Sequence, residues 1–393
     1  MNPVLANEHE LYFERGGPFY RLMQRIGLIR GEDPSVRRRI IAFLAVTWVP
    51  LLILSALEGH ALGPTPEESF LLDFAAYVRF FVTVPLLIIA ELIVGPRLTT
   101  AGLQFIRAGL VRPQEYPAFE RAVARAARWR EALWPEILIL GIAFIGAWTL
   151  SAEELLGGKA GWHTIVGADL RLSLAGVWNR FVAIPIIQFL FFRWLWRLII
   201  WVRFLATVSR LNLDMVPTHA DEAGGLGFLG TTHTSWGIFA FGVSCIFSAD
   251  AAFRIVFEGA TIETFKVPLV VLLIIVESLF VGPLFLFSPI LARSRREGLR
   301  VYSLLVVRYN RAFHKKWVEG EAPADEPLLG SGDIQSLADL GNSFQFIQSM
   351  RIFPFGRRLV LQLAVAAALP GLPLIALVVP IEKILDTLVG AVY

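Results

Sequence analysis

Val84-Pro85-Leu-Leu-Ile-Ile-Ala-Glu91-Leu-Ile-Val-Gly95-Pro96 and Val267-Pro268-Leu-Val-Val-Leu-Leu-Ile-Ile-Val-Glu277-Ser-Leu-Phe-Val-Gly282-Pro283 decide how this chain is read. Both run from Val-Pro to Gly-Pro, and each sets one glutamate in apolar sequence. Each lies in a segment long enough for a membrane span, which needs about 20 apolar residues. A carboxylate at that depth is costly unless it faces protein, a partner or water. The chain therefore reads as all-α, a polytopic membrane helical bundle with polar residues inside it.

Composition agrees. The 393 residues are 55% hydrophobic and only 18% charged, whereas a soluble domain carries about 25% charged residues. Mean hydropathy is +0.61. The 30 Phe and 11 Trp suit membrane interfaces. A net charge of +3 gives no argument for nucleic acid. One cysteine, Cys245, excludes a disulfide framework or a cysteine metal cluster. Residues 1–39 are polar, so no cleavable signal peptide of the usual form is expected and the first span directs insertion.

Seven transmembrane helices are predicted: Ile40–Leu57, Phe70–Val94, Trp134–Leu150, Leu172–Phe192, Trp236–Phe257, Phe265–Leu291 and Leu359–Val379. Lys and Arg set the orientation. Of 36 such residues, Arg79 and Arg180 fall inside spans. Five (Lys159, Arg171, Arg254, Lys266, Lys383) fall on or near one side, which leaves 29 on the other. The N-terminus is therefore expected in the cytoplasm and the C-terminus outside, in the bacterial inner membrane.

The expected organisation has a cytoplasmic segment 1–39 and a six-helix region 40–292 with cytoplasmic helices at 97–130 and 193–234. A cytoplasmic helical segment 293–357 follows, and 358–393 holds the seventh span and an outer amphipathic tail, Ile381–Tyr393. Arg193, Arg197 and Arg203 alternate with Trp194, Trp196 and Trp201, which predicts a helix crossing the headgroup layer with snorkelling arginines. Val318–Pro327 reads as an acidic linker, and Asp333–Met350 as a helix with apolar residues at helical spacing. An internal repeat is visible as well. Arg180-Phe-Val-Ala-Ile-Pro185 resembles Arg79-Phe-Phe-Val-Thr-Val-Pro85, and units of two spans plus a basic segment would share one orientation.

The candidates for a transport path are Glu91, Glu277, Arg79, Arg180, Pro370 and Pro373. The carboxylates and arginines would line a hydrated path or form static pairs. The prolines remove helix hydrogen bonds and would kink or break the last span. Asp73 and Glu136 are the other acidic residues within spans, with Asp73 too far along the helix from Arg79 to pair. Asp250 and Arg254, at i,i+4, are expected to form an ion pair. His219, Asp221 and Glu222 are weak candidates for a metal, set against a simple Gly-rich turn. Gly225, Gly227 and Gly230 match G-x-G-x-x-G without the strand a dinucleotide site needs. Walker A, H-E-x-x-H, C-x-x-C and G-x-S-x-G are missing. Paired haem ligands are not expected, because no predicted span holds a histidine. No cofactor is expected.

Thr218-His219-Ala-Asp221-Glu-Ala-Gly224-Gly225-Leu-Gly227-Phe-Leu and Asp333-Ile-Gln-Ser-Leu-Ala-Asp339-Leu-Gly-Asn342-Ser resemble stretches of uncharacterised bacterial multipass inner-membrane proteins. That resemblance implies a location and no activity. The architecture of seven spans with cytoplasmic helical extensions also looks like that of insect odorant- and gustatory-receptor channels, by topology alone. Three functions follow as expectations. The first is a non-enzymatic transport protein, channel-like and homo-oligomeric in the lipid bilayer, for an unidentified ion or small solute. The second is a membrane-anchored sensor or scaffold acting through its cytoplasmic helices. The third is a lipid-modifying enzyme using His219, Asp221 and Glu222.

Overall fold

The computed structural model describes residues 15–30, 35–156, 161–165, 171–323 and 326–378, without the side chains of 150–156 and 376–378. The expected tail Ile381–Tyr393, Pro380, Lys159 and Lys383 lie outside these residues. The chain is mostly helical. In order come α1 (Pro18–Arg25), α2 (Val36–Leu57), α3 (Phe74–Tyr77), α4 (Val84–Arg107), α5 (Tyr116–Glu131) and α6 (Trp134–Leu156). Then come α7 (Leu174–Trp178), α8 (Ile184–Val208), α9 (Gly227–His233), α10 (Gly237–Phe257) and α11 (Ile262–Phe280). Last are α12 (Ser288–Phe313), α13 (Gly332–Ser349), α14 (Arg357–Ala368) and α15 (Leu372–Val378). Two short strands, β1 (Thr164–Ile165) and β2 (Arg171–Leu172), pair antiparallel before α7.

Among the described residues, six helical segments are long and apolar enough to cross a membrane: Val36–Leu57, Phe74–Arg107, Leu174–Val208, Gly227–Phe257, Ile262–Val318 and Arg357–Ile375. The count is up to seven if Pro113–Glu131 and Trp134–Thr149, bent by 47°, form one span. These apolar helices suggest a multipass membrane protein.

The segments run longer than the sequence periodicity suggested. α4 passes through Gly95-Pro96 and reaches Arg107 without a break, so the first part of the expected helical region at 97–130 continues the apolar helix before it. α8 carries through its Trp/Arg run to Val208. The Phe265–Leu291 expectation is corrected in the other direction. α11 stops at Phe280, a 3-10 turn covers Gly282–Phe287, and α12 begins at Ser288.

The core is aromatic. Phe105 lies within ring-contact distance of Phe119, Phe204, Phe228 and Phe287. Trp236 stacks on Phe280 at 5.2 Å and meets Trp194 edge-on at 5.7 Å. Such contacts add about 0.5–1.5 kcal/mol each beyond burial. They tie α4, α8, α9, α10 and the α11–α12 junction into one unit. The outward faces of α2, α6 and α11 stay apolar and exposed: Leu57, Ile145 and Val267 are 74%, 66% and 71% exposed. A bilayer covers such faces in a membrane protein.

α12 and α13 form a hairpin beyond the bundle. Lys316 closes it, with its ammonium 2.6 Å from Glu326 and 2.9 Å from Asp333. Asp333 also accepts from the Trp317 indole at 2.9 Å, and its backbone carbonyl accepts from the Tyr309 hydroxyl at 3.0 Å.

Candidate functional site

Glu91 is held by arginines from two other helices. Arg39 of α2 donates to one carboxylate oxygen at 2.5 Å. Arg197 and Arg193 of α8 approach the other at 2.9 Å and 3.4 Å. Arg39, Glu91, Arg193 and Arg197 are 1%, 8%, 5% and 5% exposed, so the cluster is internal. Glu136 of α6 completes it, 3.6 Å from the Arg193 guanidinium, and accepts the Phe19 backbone N–H at 2.7 Å. The Phe19 ring sits under Arg193, 4.8 Å from the guanidinium carbon, so α1 closes the cluster from one end.

This geometry corrects one expectation and bears on a second. Arg193 and Arg197 do not snorkel. They stand at i,i+4 on one helix face, and that face turns inward onto Glu91 because a buried carboxylate attracts them more strongly than headgroups across a turn of helix. Arg203, two turns further, does stay exposed and lies over Trp129 at 3.9 Å. Glu91, in turn, sits in buried ion pairs, the static alternative to a hydrated path. Three guanidiniums around one carboxylate more than neutralise its charge, which disfavours a cation beside it. It works as a staple joining α2, α4 and α8.

Glu277 is placed differently, although its flanking sequence looks the same. It stands in the last turn of α11, with its side chain half-buried. Neither carboxylate oxygen has a hydrogen-bond partner among the described residues, and both are withdrawn from the molecular surface. One extra residue separates Glu277 from Gly282-Pro283, compared with Glu91 and Gly95-Pro96. That residue turns the proline by about 100° relative to the glutamate. In α4 the helix absorbs Pro96; here it breaks into the 3-10 turn. The hydroxyl of Ser288, just after the break, is also buried without a partner among the described residues.

His233 caps the broken end. Its Nδ1 lies 2.6 Å from the Phe280 carbonyl oxygen, and the Trp201 indole N–H meets its Nε2 at 2.9 Å. The indole N–H can only donate, which makes Nε2 the acceptor and puts the imidazole proton on Nδ1. His233 falls inside the candidate span Gly227–Phe257, which begins before the predicted Trp236. That candidate span holds a histidine, and both its nitrogens are engaged.

Arg79 and Arg180 share an unusual backbone setting. Each sits in a π turn, Val78–Thr83 and Asn179–Ala183, directly ahead of Val84-Pro85 and Ile184-Pro185. Pro85 and Pro185 have no N–H to give the carbonyl one α-turn back. The N–H groups of Val84 and Ile184 reach the carbonyls of Arg79 and Asn179 five residues earlier instead. Arg180 is 7% exposed, stacks over the Trp148 ring at 3.7 Å and reaches the Trp148 carbonyl at 3.5 Å. Its Nε has no partner among the described residues. Arg79 is half-buried.

The Gly-rich loop is built on Asp221. Its carboxylate accepts the backbone N–H groups of Ala223, Gly225 and Gly227 at 2.8, 3.1 and 2.7 Å. His219 Nδ1 lies 2.8 Å from Asp221 Oδ1. Burial pushes the Asp221 carboxyl upward, but those three backbone donors and His219 together hold it below the usual Asp range. Gly224 and Gly225 take φ of +63° and +96°, the left-handed region open to glycine. Arg351 locks the loop from outside by donating to the Asp221 carbonyl at 2.6 Å, and lies 3.9 Å from Glu222. The metal expectation for His219, Asp221 and Glu222 is corrected accordingly: the Asp221 oxygens are spent on backbone. Among the described residues, no group of three His, Cys, Asp or Glu is placed to hold a metal ion.

Asp250 and Arg254 pair at 3.0 Å, each about half exposed (51% and 52%). Asp73 caps α3 by accepting from Ala76 N–H and also takes the Trp162 indole N–H at 3.0 Å. Pro370 lies in a 3-10 turn, Leu369–Gly371, between α14 and α15. Pro373 starts α15 on an exposed face, and the turn packs against α10.

Set beside known proteins, the chain matches no protein-family model, no curated protein and no solved structure. Function is therefore argued from these side chains. Glu91 and Glu277 were visible in the sequence. Arg39 and His233 were not, because they reach their partners across 52 and 47 residues of chain. The i,i+4 spacing of Arg193 and Arg197 within an apolar helix is the one local signal of the buried cluster, and the neighbouring tryptophans give it an interfacial look.

Proposed function

We propose that the chain is a transport protein of a bacterial inner membrane, non-enzymatic, with its arginine-rich end in the cytoplasm. Seven spans would place the C-terminus outside, and homo-oligomers would cover the exposed apolar faces. The observation that carries this reading is Glu277. Its carboxylate lies at the end of a broken helix, withdrawn from the surface, with no basic partner among the described residues. The C-terminal end of a helix is the negative end of its dipole. A carboxylate there favours a proton or a small cation, as do helix breaks near the midplane of transporters. Glu91, Arg39, Arg193 and Arg197 hold the scaffold still, while the α11–α12 break supplies the exchanging group. Pro370 and Pro373 give the last helix a second break next to α10.

Flux from liposomes under a proton or monovalent-cation gradient tests it. Wild-type vesicles should exceed empty ones, and Glu277→Gln should abolish the excess while melting stays unchanged. Wild-type flux equal to that of empty vesicles, or full flux in Glu277→Gln, would overturn the proposal.

A second reading, a membrane-anchored sensor or scaffold, draws on the α12–α13 hairpin. It projects from the bundle with Leu304, Leu305 and Leu329 exposed (56%, 48% and 84%). A soluble protein co-purifying with the chain and lost on deleting 332–349 would favour it. The lipid-modifying enzyme loses its support with the engagement of Asp221.

A further inference from the structure

A cavity of about 240 Å³ opens between α5 and the end of α8. Its rim holds three guanidinium-bearing residues, Arg125, Arg203 and Arg210, and its floor is apolar, with Ala122, Ile200 and Phe204. No acidic residue lines it. Arg125, Arg203 and Arg210 are exposed and make no salt bridge with a described carboxylate. Elsewhere at this end arginines do find acids, as Arg112 does with Asp214 and Arg130 with Glu131. Three like charges converging without an acid repel one another, and an anion between them relieves that.

The surroundings say which anion. Trp129 lines the same cavity, stacks on Trp196 at 5.3 Å with the planes 9° apart, and meets Trp134 at 6.2 Å. Trp134 is 55% exposed. Tryptophan clusters of this kind sit at the headgroup level of a bilayer. α6 leaves the cluster with an exposed apolar face, Ile137, Leu138 and Ile145 (60%, 53% and 66%), suited to acyl chains. Basic pockets between helices on the inner side of membranes bind lipid phosphates. Arg203 is already oriented by its stacking on Trp129, so its donors point without further ordering cost.

We propose that this cavity binds the phosphate group of an anionic phospholipid from the surrounding leaflet, with the acyl chains running down α6. The shared chemistry is a phosphate oxyanion, and free phosphate offers the same oxygens without the chains.

The test uses the full chain in mild detergent, with brominated phosphatidylglycerol, brominated phosphatidylcholine and inorganic phosphate as separate probes. The part of tryptophan quenching that depends on Arg203 reports occupancy beside Trp129, because other exposed tryptophans such as Trp134 meet bulk lipid in every variant. Wild type should prefer phosphatidylglycerol over phosphatidylcholine by at least tenfold. Each guanidinium contributes about fivefold. Arg203→Gln should therefore weaken phosphatidylglycerol binding about fivefold, and Arg125→Gln with Arg203→Gln and Arg210→Gln should remove the preference. Arg311→Gln on α12 should leave it intact. If the triple variant misfolds, the single Arg203→Gln result decides. Equal quenching by both lipids, or a preference that survives Arg203→Gln undiminished, overturns the site. Competition by inorganic phosphate at the same concentration as phosphatidylglycerol overturns the lipid as its source.

Discussion

Glu91→Gln removes one formal charge from a place where it is the hub. The wild-type cluster holds three guanidiniums (Arg39, Arg193, Arg197) and two carboxylates (Glu91, Glu136), a net of plus one. In the variant two positive charges are uncompensated. Unit charges about 4 Å apart interact by about 4 kcal/mol at an effective dielectric near 20. Breaking a buried ion pair from one side costs about 3–5 kcal/mol, since the remaining charge keeps its desolvation penalty. Three guanidiniums share the Glu91 loss, and the amide oxygen of Gln recovers one hydrogen bond. We expect about 3–5 kcal/mol of destabilisation, read as a melting shift of several degrees by size-exclusion of heated detergent extract. Adding Arg39→Met returns the count to two guanidiniums and one carboxylate, the same plus one as wild type. The double variant should then regain about half of the loss. A single variant that melts with wild type, or a double variant worse than the sum of its parts, would refute the staple.

His233→Phe should cost about 2–4 kcal/mol, because it leaves the Phe280 carbonyl and the Trp201 N–H buried and unmatched; faster proteolysis at Gly282–Phe287 checks it. Asp221→Asn should loosen the Gly-rich loop and change the acid response. The folded Asp221 carboxyl lies below its usual 3.8, so its stabilisation is complete above that value and fades as pH falls through the lower folded value. Wild type should therefore lose melting temperature below about pH 4, and Asp221→Asn should lose less of it. Gly176→Ala should destabilise the chain by about 1–3 kcal/mol. A Cβ there would meet the His163 carbonyl, which accepts the Ser173 backbone N–H just ahead of α7; normal expression with unchanged melting would contradict the packing.

Composition and window hydropathy were enough to mark a helical chain with several membrane-length apolar segments, because about 20 apolar residues in a row have few other fates. The ends were harder to read. α4, α8 and α12 continue past their apolar windows, since Arg-rich sequence with Ala, Leu and Trp is as helical as the span before it. Glu91 and Glu277 looked like equals because local sequence is all that periodicity reads. What separates them is one inserted residue and the arrival of α2 and α8 at only one of the two. Asp221 was legible in part: aspartate ahead of glycines favours turns closed by its own side chain. Nothing local announced that Arg351, 130 residues away, would clasp that turn.

The π turns at Val78–Thr83 and Asn179–Ala183 have a consequence for register. Each stores one surplus residue inside a spanning helix, bounded on its far side by a proline that cannot give a hydrogen bond back into it. Passing such a defect by one position rotates the residue it leaves by about 100°, while the rod on either side keeps its bonding. Two matched helices thus carry a sliding swivel with a stop, and the side chain riding on each swivel is an arginine. Removing Val82 would erase one swivel and swing Arg79 away from its present bearing, leaving the other as a built-in reference in the same molecule.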